Sequence, residues 1–116
     1  MSEIIYKICP RDAWARAVEA STYTGAPVDQ QDGYIHLSSA GQVMETAAKH
    51  FAGQGDLLLI AVDSARLGED LKWEPSRGGA LFPHFYGSLA MNAVLSAEPL
   101  PLGPDGAHVF PWSAAS

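Results

Sequence analysis

The stretch Gly33-Tyr34-Ile35-His36-Leu37-Ser38-Ser39-Ala40-Gly41-Gln42 decides the fold. Alternation over Tyr34 to Ser38 places Tyr34, His36 and Ser38 on one side of an extended backbone and Ile35 and Leu37 on the other, the pattern of a strand with one buried face. Ser39-Ala40-Gly41-Gln42 then has the form of a capping box, in which the Ser oxygen takes an orphan N–H and the Gln three positions on returns the bond. A helix is expected from here to about Ala52. Val43, Ala47 and Phe51 fall on one stripe with Met44 and Ala48 beside it, and Gly53 and Gly55 supply the positive φ that ends a helix.

Upstream, the apolar run Ile4 to Ile8, closed by Pro10, reads as a strand. Arg11 to Ala20 reads as a helix, with Trp14, Ala17 and Val18 at helical spacing and Asp12 near the start. Asp29 to Gly33 is polar and turn-like. Downstream, Leu57 to Asp63 is a buried strand, and Leu71 to Pro75 and Leu81 to Leu89 are further strands separated by a Gly78-Gly79 turn. Ala93 to Leu100 supplies another. The order implies an α+β domain: two early helices packed on a small, mostly antiparallel sheet. A doubly wound parallel fold would need later helices.

A chain of 116 residues is the size of one domain, expected over 1–112, with 113–116 as a frayed tail. Its 47% apolar fraction excludes intrinsic disorder. With 7 basic against 13 acidic residues, the net charge of −6 disfavours a DNA binder and makes a large RNA partner a poor fit, because such binding neutralises phosphates with Lys and Arg. The longest apolar stretch, Leu57 to Val62, is far short of the roughly 20 residues of a membrane helix. MSEIIYKICPRDAW lacks the basic n-region and cleavage site of a secretory leader. A lone cysteine, Cys9, fits a reducing cytosol, so a cytoplasmic location is expected.

Two constellations carry candidate chemistry. His36 and Ser38 arrive on one strand face just before a helix start at Ser39, a corner that favours anions through free N–H groups and the positive dipole end. The simpler reading is a capped helix beside a hydrogen-bonded strand histidine. Trp73-Glu74-Pro75 and Phe82-Pro83-His84-Phe85-Tyr86-Gly87 form the second. Phe82, His84 and Tyr86 share a face, joining stacking surface, a titratable ring and a phenol, and Glu74 is a candidate acceptor or general base. Ordinary sheet packing and a solvated charge are the simpler readings there. Cys9, His36 and His84 show no metal-ligand spacing, so no metal is expected. His50 reads as a surface residue, and His108 lies in the loop-rich end. No GxGxxG, GxxxxGK[ST] or GxSxG pattern is present.

The segments GYIHLSSAGQV, LLLIAVDSARLG, KWEPSRGGALFPHFYGSL and NAVLSAEPLPL, in this order, resemble domain-of-unknown-function family 952 across nearly the whole chain. That family looks like a compact relative of the ADP-ribosyltransferase fold, its front half similar to RNA 2′-phosphotransferases. The resemblance implies a cleft that takes NAD or a nucleotide-like small molecule, with His36 and Ser38 toward ribose or phosphate. It further implies Tyr86 stacked on nicotinamide and Glu74 or His84 acting on a ribose hydroxyl; Ser39 and Trp73, from the two constellations, are expected to be ligand-binding as well. His36 matches the second histidine of the phosphotransferase pattern. Lys7 stands where the first is usual, a point charge able to pair a phosphate but without the directed bonding of an imidazole. Two functions follow: a transferase using NAD or an ADP-ribose- or phosphate-bearing substrate, with His36, Glu74 and His84 catalytic, or a non-catalytic module binding a nucleotide-like or small anionic ligand in the same cleft.

Overall fold

Residues 3–111 are described by a computed structural model. Strand β1 (Ile4–Pro10) leads directly into helix α1 (Arg11–Ala20). Pro10 makes this corner because its fixed φ of −58° suits the residue before a first turn and it lacks an N–H to leave unpaired. Ser21, in the left-handed region at φ 64°, ends the helix. Strand β2 (Thr22–Tyr23), helix α2 (Pro27–Asp32), strands β3 (Ile35–His36) and β4 (Ser38–Ser39), and helix α3 (Val43–His50) follow. The second half is β5 (Leu57–Asp63), β6 (Leu71–Pro75), β7 (Leu81–Phe85), β8 (Leu89–Ala90) and β9 (Val94–Pro99), with 3₁₀ turns between several of them.

Every strand pairing among the described residues is antiparallel. A four-stranded sheet runs β4-β1-β5-β9, a three-stranded sheet β3-β7-β6, and β2 pairs with β8. β1 and β5 pair along their whole lengths, from Ile4 opposite Asp63 to Pro10 opposite Leu57. One face of this sheet packs Ile5, Cys9, Leu58, Ile60 and Val62 against Trp14 and Ala17 of α1, together with Ile35, Leu37, Phe85 and Leu89. The other packs Ile8, Leu57 and Leu59 against Val43 and Ala47 of α3 and against Leu100 and Phe110. Burial on both faces explains why β5 reads as an uninterrupted apolar run. Each such aliphatic contributes roughly 1.5–3 kcal/mol. The result is a single-domain α+β fold, and no helix among the described residues is long and apolar enough to cross a membrane.

The structure corrects several boundaries. Asp29 to Gly33 is not a simple turn: Pro27 opens a six-residue helix and Gly33, at φ 89°, closes it. α3 begins at Val43, not Ser39, because the Ser39 backbone is held in β4 opposite Ile5. Only half of the capping box forms, with Gln42 Oε1 accepting from the Ser39 N–H at 3.1 Å while the Gln42 amide donates to the Leu81 carbonyl at 2.7 Å. The helix ends at His50, and after Gly53 the second left-handed residue is Asp56, not Gly55. Val18 is exposed. Leu81 to Leu89 divides into β7 and β8: the Tyr86 N–H still bonds the Asp70 carbonyl, one step past the Leu71–Phe85 pair, and beyond it the chain turns away so that Leu89 and Ala90 pair with β2. The last strand starts at Val94, after a 3₁₀ turn over Met91–Ala93. The tail expected over 113–116 lies outside the described residues.

Candidate functional site

β3 and β7 pair so that His36 stands directly opposite His84. Their rings lie edge to face with centroids 5.6 Å apart. Period-two alternation puts Tyr34 beside His36, and Phe82 and Tyr86 beside His84, on the same face. Leu37 then switches the chain from one sheet to the other, donating its N–H to the Pro83 carbonyl at 3.0 Å before Ser38 joins β1. A cleft of about 650 Å³ opens where this face meets β1, α3 and the start of α2. Lys7, His36, Ser38 and His84 line it among apolar side chains that include Tyr6, Ile8, Val28, Phe51 and Phe82.

Asp29, 1% exposed, organises one side of the site. Its Oδ2 accepts from Lys7 Nζ at 2.8 Å and from the Ala26 N–H at 2.7 Å. Its Oδ1 accepts from the His36 backbone N–H at 3.1 Å and from His36 Nδ1 at 2.6 Å. Burial pushes this carboxyl up, but the His36 hydrogen bond, the Lys7 charge and the Lys7 and Ala26 bonds outweigh it and bring it down to about 2. An ionised carboxylate only accepts, so His36 Nδ1 carries a hydrogen. The other ring nitrogen, Nε2, lies 3.0 Å from Asp32 Oδ2, within ion-pair distance of that second carboxylate. Lys7 also donates to the His36 carbonyl at 3.1 Å. Its ammonium is thus a buried tie between β1, α2 and β3, not the open anion contact expected of it.

His84, 4% exposed, is held differently. Nδ1 lies 2.8 Å from Glu74 Oε1, and the Tyr86 hydroxyl donates to the same oxygen at 2.7 Å. These two hydrogen bonds, Tyr86 first, pull the Glu74 carboxyl down. In return the bond to Glu74 pushes the Tyr86 phenol up to about 12. With Glu74 ionised, the Nδ1 atom of His84 is the donor, and no described residue hydrogen-bonds its Nε2. The Tyr34 ring stacks on His84 at 4.2 Å and also reaches His36 at 4.6 Å and Tyr86 at 5.1 Å.

The expected site residues are therefore only partly gathered. Lys7, His36, Ser38 and His84 line the cleft, and Glu74 and Tyr86 support His84 from behind it. Tyr86 is not placed to stack on a ligand there, because its ring packs toward Tyr34 and its hydroxyl is engaged by Glu74. Trp73 is excluded by alternation: it pairs with Pro83, on the face opposite Glu74 and His84. Ser39 and the first turn of α3 do not line the cleft, so the expected anion corner is not part of it; Ser38 bonds Thr46 Oγ1 at 3.0 Å. His50 is exposed but sits at the rim, and His108 is bound to the Gln54 carbonyl at 2.8 Å. Among the described residues no group of three or more His, Cys, Asp or Glu side chains is arranged to hold a metal.

Alternation places Tyr34 on the His36 side without giving it a role, whereas Asp29 and Asp32 were not legible as site residues. Asp29 and Asp32 lie on a helix whose sequence reads as a turn; the available signal was Pro27 at its start with Gly33 at its end.

Two strands bearing histidines over an apolar cleft define the class: a small α+β domain with a carboxylate-supported imidazole pair. The profile described as "Protein of unknown function (DUF952)" matches residues 8–97, and the chain belongs to that family. It is similar to protein CC0527 from Caulobacter crescentus, whose crystal structure is 47% identical with a TM-score of 0.91, covering 97% of this chain and 99% of that one. The solution structure of CC0527 is 50% identical with a TM-score of 0.81, covering 90% of each chain. No curated protein matches the chain.

Proposed function

We propose that the protein is a small transferase acting on a nucleotide-like molecule such as NAD or an ADP-ribose-bearing substrate, in the cytoplasm, with His84 as its acid–base group. One observation carries this reading: a buried imidazole at a cleft, oriented by a carboxylate on Nδ1, with Nε2 left without a described partner. That arrangement fixes the neutral tautomer that accepts a proton at Nε2, the requirement for a general base. Glu74 and Tyr86 are then positioning residues for His84. His36 donates from Nδ1 to Asp29 and stands with Nε2 beside Asp32, so the second imidazole at the cleft is held by carboxylates and serves to orient the ligand. The likeness of the front half to RNA 2′-phosphotransferases supports a nucleotide as substrate.

A specific observation favours a second reading, a non-catalytic binding module. Lys7, at the position of the usual first histidine, is locked to Asp29 and offers no acid–base chemistry in the cleft. Calorimetric titration with NAD and ADP-ribose, together with chromatographic detection of released nicotinamide, separates the two. Nicotinamide release abolished by His84→Ala in a folded protein supports the transferase. Binding without release supports the module, and no binding of either compound at millimolar concentration overturns both.

A further inference from the structure

The cleft has an interior and a mouth. Of its lining residues, Lys7, Ile8, Leu37, Ser38, Phe82 and His84 are buried, whereas Val28, His50 and Ser76 are exposed. These three come from α2, the last turn of α3 and the turn after β6, so three separate elements border the opening. Inside, the polar groups are engaged. Lys7 Nζ donates to Asp29 and to the His36 carbonyl, and the His36 ring lies between Asp29 and Asp32. Ser38 and Thr46 share a hydrogen bond, and His84 Nδ1 is on Glu74, which leaves Nε2 for acid–base work. At the mouth the side chains of His50 and Ser76 make no hydrogen bond with a described residue. No Asp or Glu is part of the lining among the described residues.

We infer that the mouth holds the ligand's anionic group, a phosphate, on His50 and Ser76, while the ligand's planar ring enters the apolar interior. The inference rests on the nucleotide reading above and makes His50 a specificity-determining residue, one that prefers a phosphorylated ligand to the same nucleoside without phosphate. Two arguments support it. An imidazole offers an N–H in either charge state and a serine offers its O–H, so two uncommitted donors from two elements meet whatever stands in the opening. A charge is costly to bury without a partner, and at an opening it keeps part of its water. Ile8, Leu37 and Phe82 give the ring its surroundings, and Phe51, next to His50 on the chain, lines the same cleft. His50 thus makes the anion contact that Lys7, locked to Asp29, does not.

The test is calorimetric titration of the whole protein with adenosine and AMP at low salt, in the wild type and in His50→Ala, Ser76→Ala and Lys49→Ala. His50 and Ser76 are exposed and bonded to nothing described, so their substitution leaves the fold in place, checked by an unchanged urea midpoint. AMP is expected to bind about tenfold tighter than adenosine, the size of one hydrogen bond to a charged group. His50→Ala should remove most of that preference and Ser76→Ala part of it, both with adenosine affinity unchanged. Lys49→Ala, which removes a neighbouring cation that pairs with Glu45 and does not line the cleft, should keep it. AMP binding no tighter than adenosine overturns this inference and leaves the nucleotide reading intact. A preference that survives His50→Ala or Ser76→Ala, or that falls as far in Lys49→Ala, does the same, because it then comes from general charge and not from this contact. Failure of both probes overturns the inference together with that reading.

Discussion

Replacing Asp29 by Asn keeps the size of the side chain and removes its charge. The amide group must then face either the Lys7 ammonium and the Ala26 N–H or the two His36 donors, so at least two of four hydrogen bonds become donor against donor. Lys7 is left 7% exposed without its counter-ion. Breaking a buried pair by removing one partner costs about 3–5 kcal/mol, a large share of the roughly 5–15 kcal/mol of a domain. Urea unfolding followed by Trp fluorescence should show that loss as a lower midpoint at unchanged slope. Lys7→Met in the Asp29→Asn background should recover part of it, because the unpaired ammonium is removed. The pH dependence follows from the same carboxyl, lowered from an ordinary 3.8 to about 2. Its contribution of about 2 kcal/mol is fully present above the unfolded value and is lost as pH falls through the folded one. The wild type should therefore lose stability from about pH 4 toward pH 2, and the Asn variant should lose less. An Asp29→Asn protein as stable as wild type at pH 7 would refute the reasoning.

Three further outcomes are expected. Gly25→Ala should destabilise by about 2 kcal/mol in urea titration, since φ is +106° and a Cβ would stand 2.8 Å from Asp29 Cβ; Gly53→Ala, equally left-handed but in open space, should cost only about 1 kcal/mol. Glu74→Ala should lower the Tyr86 phenol from about 12 toward an ordinary value of about 10, read by NMR of labelled tyrosine ring carbons. Tyr34→Leu should move the ring-proton shifts of His36 and His84 while leaving His50 and His108 in place, and Tyr34→Phe should keep all four, because the ring and not the hydroxyl makes the stacking contacts.

The first strand-to-helix corner and the buried strand were legible because each rests on a local pattern: Pro10 before a helical stripe, and the six buried residues Leu57 to Val62 of β5, whose leucines, isoleucine and valine alternate between two cores. Alternation also made legible which neighbours share a face with each histidine, but that the two faces coincide rests on the β3–β7 register, His36 opposite His84, which alternation within one strand does not give. What the sequence did not expose depends on partners distant in the chain. Asp29 is 22 residues from Lys7, and its carboxylate reads as a turn residue until the fold brings β1 over α2. The capping box failed where pairing of Ser39 with Ile5 outweighed a local preference. Trp73 shows the converse error: proximity to Glu74 in sequence places it on the opposite face of a strand.

The account turns on the His84 Nδ1 atom donating to Glu74, which leaves Nε2 of this cleft-lining residue without a described partner and able to accept a proton. Long-range ¹H–¹⁵N correlation spectra of the neutral imidazoles measure this directly. The predicted result is a neutral His84 protonated at Nδ1, reverting to a mixture of tautomers in Glu74→Ala. A neutral His84 protonated at Nε2 in the wild type would contradict the account, for that nitrogen would then have no lone pair with which to take a proton from a ligand.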